Sequence, residues 1–89
     1  MKYTVLWSPE AESLLIDIWI GASDRKLITD AANRIDRQLS FVPLDVGESR
    51  TEAARLLMEP PLAVFYEVHD DESLVVIHKI WEYKKRRRT

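Results

Sequence analysis

The stretch "GESRTEAARLLMEPPLAVFYEV", Gly47 to Val68, decides the fold. Ala54 to Glu59 and Leu62 to His69 both read as strands, and Pro60-Pro61 separates them. A proline pair cannot donate to a ladder, so it belongs to the connection and leaves its flanking runs as antiparallel neighbours. Alternation groups Tyr66 with Leu62, Val64 and Val68, which points to packing for that tyrosine. Downstream, Asp70-Asp71-Glu72 makes a polar turn before a third strand, Ser73 to Trp81. In that strand alternation places Leu74, Val76 and Ile80 on one face with His78, and Val75, Ile77 and Trp81 on the other with Lys79. Both faces are largely apolar, so one is expected on a helical layer and the other bare or covered by a partner.

Upstream, Lys2 to Trp7 is a short alternating strand with Tyr3, Val5 and Trp7 on one side. Ser8-Pro9-Glu10 then starts a helix: the hydroxyl can cap a free amide, proline suits the first helical position, and the carboxylate favours the positive end of the dipole. The spacing predicts helix one over Pro9 to Ile20, with Ala11, Leu14, Leu15 and Ile18 inward and Ile16, Trp19 and Ile20 widening the stripe. Gly21, Ser23 and Asp24 leave room only for a tight turn. Helix two, about Asp24 to Phe41, should therefore fold back as a hairpin, burying Leu27, Ile28, Ala31, Ile35 and Leu39 until Pro43 stops it. Val42 to about Thr51 reads as a loop. The expected fold is α+β: a strand, a two-helix hairpin, then three antiparallel strands in one sheet packed on the helices.

The chain has 89 residues and no cysteine, so neither a disulfide nor a thiolate metal site holds it and stability rests on the apolar 46%. No stretch approaches the roughly 20 apolar residues of a membrane span, and the start lacks a signal-peptide pattern, so no membrane association and a soluble, cytoplasmic protein are expected. Lys84, Lys85, Arg86, Arg87 and Arg88 hold five of the thirteen basic residues, which leaves eight positive against fifteen negative charges, a net of −7, before the tail. An acidic body repels nucleic acid unless its cations gather on one surface, whereas the tail is either a solvated end or a contact to nucleic acid or an acidic partner. With only Gly21 and Gly47 there is no phosphate-binding glycine loop, and His69 and His78 lack metal-ligand spacing, so neither cofactor nor metal is expected.

"YTVLWSPEAESLLIDI", "GESR", "PPLAVFYEV" and "SLVVIHKIW", covering Tyr3 to Trp81, together resemble the RelE/ParE superfamily of bacterial toxins, often labelled plasmid stabilisation proteins. The resemblance implies one toxin domain over residues 1–83 with a basic tail at 84–89. It also implies the toxin of a type II toxin–antitoxin pair, neutralised by a cognate antitoxin that wraps it, which would account for the surplus apolar surface. The family divides between ribosome-dependent endoribonucleases (mRNA interferases) that cut without a metal and inhibitors that bind DNA gyrase; for this chain the alternative to the enzyme is a gyrase inhibitor or a non-toxic homologue that only pairs with an antitoxin. For the ribonuclease chemistry a base must take the proton of the 2′-hydroxyl, a cation must stabilise the pentavalent phosphate and an acid must serve the leaving oxygen.

Arg50 and Arg55 flank the entry to the second strand, where the resemblance places substrate-facing cations; the competing reading is salt bridges to Glu48, Glu52 or Glu59. Lys79 and Tyr83 are the candidates for proton transfer, and Lys84, Lys85, Arg86 and Arg87 for holding nucleic acid. Histidine exchanges a proton near neutral pH, but the apolar neighbours of His78 point to a core or partner-facing position. One departure stands out. Ribonuclease relatives often carry an arginine directly after the position of Leu62, and this chain has Ala63.

Overall fold

The computed structural model describes residues 2–83, so Lys84, Lys85, Arg86 and Arg87 lie outside the described residues. Strand β1, Thr4–Trp7, passes directly into helix α1, Pro9–Gly21, because the Ser8 hydroxyl accepts the Ala11 amide at 3.1 Å and Glu10 and Glu12 occupy the first turn. Asp24 caps helix α2, Arg25–Phe41, by accepting the Leu27 amide. The Arg25 guanidinium closes the hairpin by donating to the carbonyls of Trp19 and Ile20 at the free end of α1.

The sheet has five strands in the order β1-β5-β4-β3-β2. Strand β2 is the two-residue segment Glu48–Ser49, inside a stretch expected to be loop; it pairs with β3, Ala54–Glu59. Pro60-Pro61, with a cis bond, links β3 to β4, Leu62–His69, as expected of a pair that cannot donate. Asp70–Glu72 forms a short 3₁₀ turn, and Ser73 is left-handed at φ 49°, so β5, Leu74–Glu82, begins one residue later than predicted. β5 is antiparallel to β4 and parallel to β1, which makes it the strand on which both ends of the fold meet.

One face of this sheet carries the core. Leu57, Leu62, Val64, Tyr66, Val68, Val75, Ile77 and Ile80 pack against Ala11 of α1 and against Ile28, Ala31, Ile35 and Leu39 of α2. Leu14, Leu15 and Ile18 add partly buried contacts. The second helix departs from expectation at its first turn: Leu27 is 48% exposed, because it lines an open groove between the hairpin turn, Pro60-Pro61 and Tyr83. Ile16, Trp19 and Ile20 also stay exposed.

A larger correction concerns β5. The β4–β5 register slips at Phe65/Tyr66, so Tyr66 opposes Ile77 while Phe65 opposes Lys79, and His78 is the extra residue of a β-bulge. Two consecutive residues then occupy one position of the alternation. Ile80 returns to the core beside Val75 and Ile77, and Trp81 moves to the open face. His78 and Lys79, expected on opposite faces, line the same groove.

Candidate functional site

The two expected arginines are separated by the sheet. Arg55 stands opposite Tyr66 on the helix-covered face, and its guanidinium donates to the backbone carbonyls of Val46 and Gly47 at 3.0 and 3.2 Å. Tyr66 works on the same loop: its hydroxyl oxygen lies 2.9 Å from the Pro43 carbonyl and 3.0 Å from that of Val46. Burial pushes the Tyr66 phenol above its ordinary value, and the adjacent Arg55 charge offsets part of that rise. Gly47 completes the anchor. Its φ is +73°, and a Cβ there would sit 2.6 Å from the Leu56 carbonyl oxygen, so only glycine lets this loop lie on the strand.

Arg50 lies on the open face. Its amide bonds to the Ala54 carbonyl, and its side chain reaches Glu48 at 3.2 Å, one of the salt bridges weighed against phosphate binding. Both partners are well exposed, so the pair adds roughly 0–1 kcal/mol and yields readily to a stronger anion. Glu59, another carboxylate considered for these arginines, instead accepts from Arg34 and Gln38 and ties α2 to the end of β3.

At the α1 end of the same face is a groove of about 570 Å³ bounded by Ser8, Pro9, Glu10, Phe65, Glu67, His78 and Lys79. Among the described residues, Lys79 pairs with Glu10, at 3.5 Å, with both side chains 63% exposed. His78 Nε2 lies 2.9 Å from Glu67 Oε1, and His69 Nε2 lies 3.7 Å from the same oxygen. The Phe65 ring, with its centroid 6.4 Å from that of His78, forms the apolar floor beside the imidazole. Tyr83 is elsewhere, lining the groove beside the hairpin turn. Of the predicted residues, Arg50 and Lys79 therefore share the open face, while Arg55 and Tyr83 join neither of them. Glu67 is absent from the sequence reading, and His69 enters it only as a rejected metal ligand. Their i, i+2 spacing on β4, across a short turn from His78, is the signal that could have found them.

Ala63 is also on the open face, fully buried between Met58 on β3 and Trp81 on β5 in the register of the three strands. Met58 is 52% and Trp81 41% exposed, so an apolar shelf occupies the place of the arginine that the resemblance led one to expect. Among the described residues no three His, Cys, Asp or Glu side chains converge to hold a metal ion, and no helix is long and apolar enough to cross a membrane.

The chain thus sets a helical hairpin on one side of a mixed sheet and leaves the other side open. A chain of the toxin–antitoxin complex RelBE2 from Mycobacterium tuberculosis superposes with a TM-score of 0.78 at 20% identity, covering 96% of this chain and 95% of that one. The chromosomal ParDE system from P. aeruginosa gives 0.72 at 15% identity over 93% and 98%, and the isolated E. coli RelE toxin gives 0.65 at 10% over 94% and 87%. No family model and no curated protein matches the sequence. At these identities the likeness establishes the fold, which is that of RelE/ParE toxins.

Proposed function

We propose that this protein is the toxin of a type II toxin–antitoxin pair, that residues 1–83 form its working domain in the cytoplasm, and that it cleaves messenger RNA on the ribosome. The observation that carries the reading is a superposition running through 96% of the chain onto a component of a toxin–antitoxin complex. The exposed Ile16, Trp19, Ile20 and Leu27 on the helical hairpin support an antitoxin partner, since large apolar side chains left partly open in neighbouring turns favour a covering chain. Arg50 and Lys79 supply cations on the open face, and Lys84, Lys85, Arg86 and Arg87 add four basic residues directly after Tyr83 in the sequence. Arg55 is then a residue that holds the 43–47 loop, and Tyr83 contributes away from the Lys79 groove.

A second reading, a binding protein that inhibits gyrase or only pairs with its antitoxin, is favoured by the buried Ala63 between Met58 and Trp81. Induced expression separates the two. Growth arrest with ribosome-dependent cuts in mapped transcripts, relieved by co-expression of the neighbouring gene product, is the expected result. Intact transcripts with inhibited DNA supercoiling would replace the ribonuclease by the gyrase inhibitor, and harmless expression with stable complex formation would leave only the pairing role.

A further inference from the structure

The bulge on β5 brings together groups that regular alternation would separate. His78 is its extra residue, Lys79 follows on the same groove, and Glu67 lies across the strand pair. A carboxylate can only accept, so the 2.9 Å contact places a hydrogen on His78 Nε2 and leaves the lone pair of the neutral ring on Nδ1. Glu67 thereby fixes both the tautomer and the ring plane, and Phe65 limits its tilt from the side. The His78 side chain is 40% exposed, so a ligand in the groove can reach it. Lys79, whose partner among the described residues is an exposed carboxylate 3.5 Å away, can turn toward an anion.

We propose that His78, oriented by Glu67, accepts the proton of a ribose 2′-hydroxyl in this groove and that Lys79 holds the adjacent phosphodiester. The assignment rests on the reading of the chain as an RNA-cleaving toxin and places that chemistry beside the Met58–Ala63–Trp81 shelf, where the Phe65–Lys79 pair follows Ala63–Trp81 along the same face. Nδ1 takes the 2′ proton as the 2′-oxygen forms its bond to phosphorus. The bond from phosphorus to the 5′-oxygen breaks with its electron pair, that oxygen takes a proton from water in the open groove, and the imidazolium returns its own proton to solvent. The products are a 2′,3′-cyclic phosphate and a free 5′-hydroxyl, with no oxidant or second substrate consumed. Lys79 is a substrate-binding group and Glu67 a positioning residue.

The test is single-turnover cleavage of a messenger RNA on programmed ribosomes by the full chain, with the 3′ ends of the fragments analysed. Wild type should leave a cyclic phosphate, and His78→Ala should lose roughly 10²- to 10⁴-fold in rate, the usual contribution of a general base. His78→Gln should be equally slow, and added imidazole should restore part of the rate of His78→Ala, which a purely structural role does not allow. Glu67→Gln should lower the maximal rate and leave the half-saturating concentration unchanged, whereas Lys79→Ala should raise that concentration. Urea midpoints of each variant within error of wild type exclude misfolding as the cause. Cleavage by wild type with His78→Ala and His78→Gln equally active overturns the assignment and leaves the ribonuclease reading standing. Absence of cleavage by folded wild type overturns both.

Discussion

The neighbouring residues Tyr66 and Glu67 on β4 point to opposite faces of one sheet and live in different chemistry. Tyr66 is buried beneath the helices, and its hydroxyl is held by two loop carbonyls. Glu67, 38% exposed in its side chain, faces a groove and approaches two histidines. The arginines divide in the same way: Arg55 is committed to the backbone of the 43–47 loop, while Arg50 pairs weakly with the exposed Glu48 on the surface. Polar groups on the covered face are engaged by the fold, and those on the open face keep capacity for a ligand. The face to which a side chain points predicts its role better than its type does.

The contrast is broken most severely through the core. Ile77→Ala, at a fully buried position, should cost about 2–5 kcal/mol, whereas Leu6→Ala, at 50% exposure on the open face, should stay near 0.5 kcal/mol. Urea denaturation of both variants measures the gap, and equal losses would mean that the open face is also packed. A smaller effect separates the arginines. Arg55→Met removes charge-assisted donors from two loop carbonyls and should cost about 1.5–3 kcal/mol, while Arg50→Met should change stability by less than about 0.5 kcal/mol and weaken RNA binding instead. Filter binding of a short RNA beside thermal melts checks both halves.

The smallest expected effect sharpens the contrast through pH. The Tyr66 phenol is raised by burial, so above the ordinary value of 10.0 the unfolded chain ionises first and binds fewer protons than the folded one. Its contribution is thus fully present below that pH and is lost as pH climbs through the raised folded value. Tyr66→Phe should cost about 1 kcal/mol at neutral pH and flatten the alkaline loss of stability. Tyr3, raised chiefly by its hydrogen bond to Asp70, keeps a remaining slope, so Tyr66→Phe should reduce the alkaline limb without abolishing it. An unchanged limb, read from urea midpoints across that range, would remove Tyr66 from the account.

Most elements were legible because their signals are local. Ser8 and Asp24 cap the helices that follow them, and Pro60-Pro61 connects the strands it separates. The buried positions Ala31, Ile35 and Leu39 follow the helical period. Leu27 misled because periodicity tells which way a residue points and says nothing of where the facing sheet ends. Arg55 lies on the covered face because it shares the Tyr66 register, and on the open face the difference begins at one residue. His78 is an extra residue in a strand whose composition looks regular, and every side chain after it changed face.

The sequence by itself determined the order of the two helices and of β1, β3, β4 and β5, the helical hairpin, the antiparallel β3–β4–β5 meander and the Tyr66 packing face, since each follows from interactions within a few residues or from alternation. Only the tertiary structure decided that β1 joins β5 in parallel, that Arg50 and Arg55 part company, and that His78, Lys79 and Glu67 share one groove. Those outcomes depend on register between strands distant in the chain. A single extra residue in that register redirects a side chain across the sheet at little local cost, and nothing in the neighbouring sequence marks where it will occur.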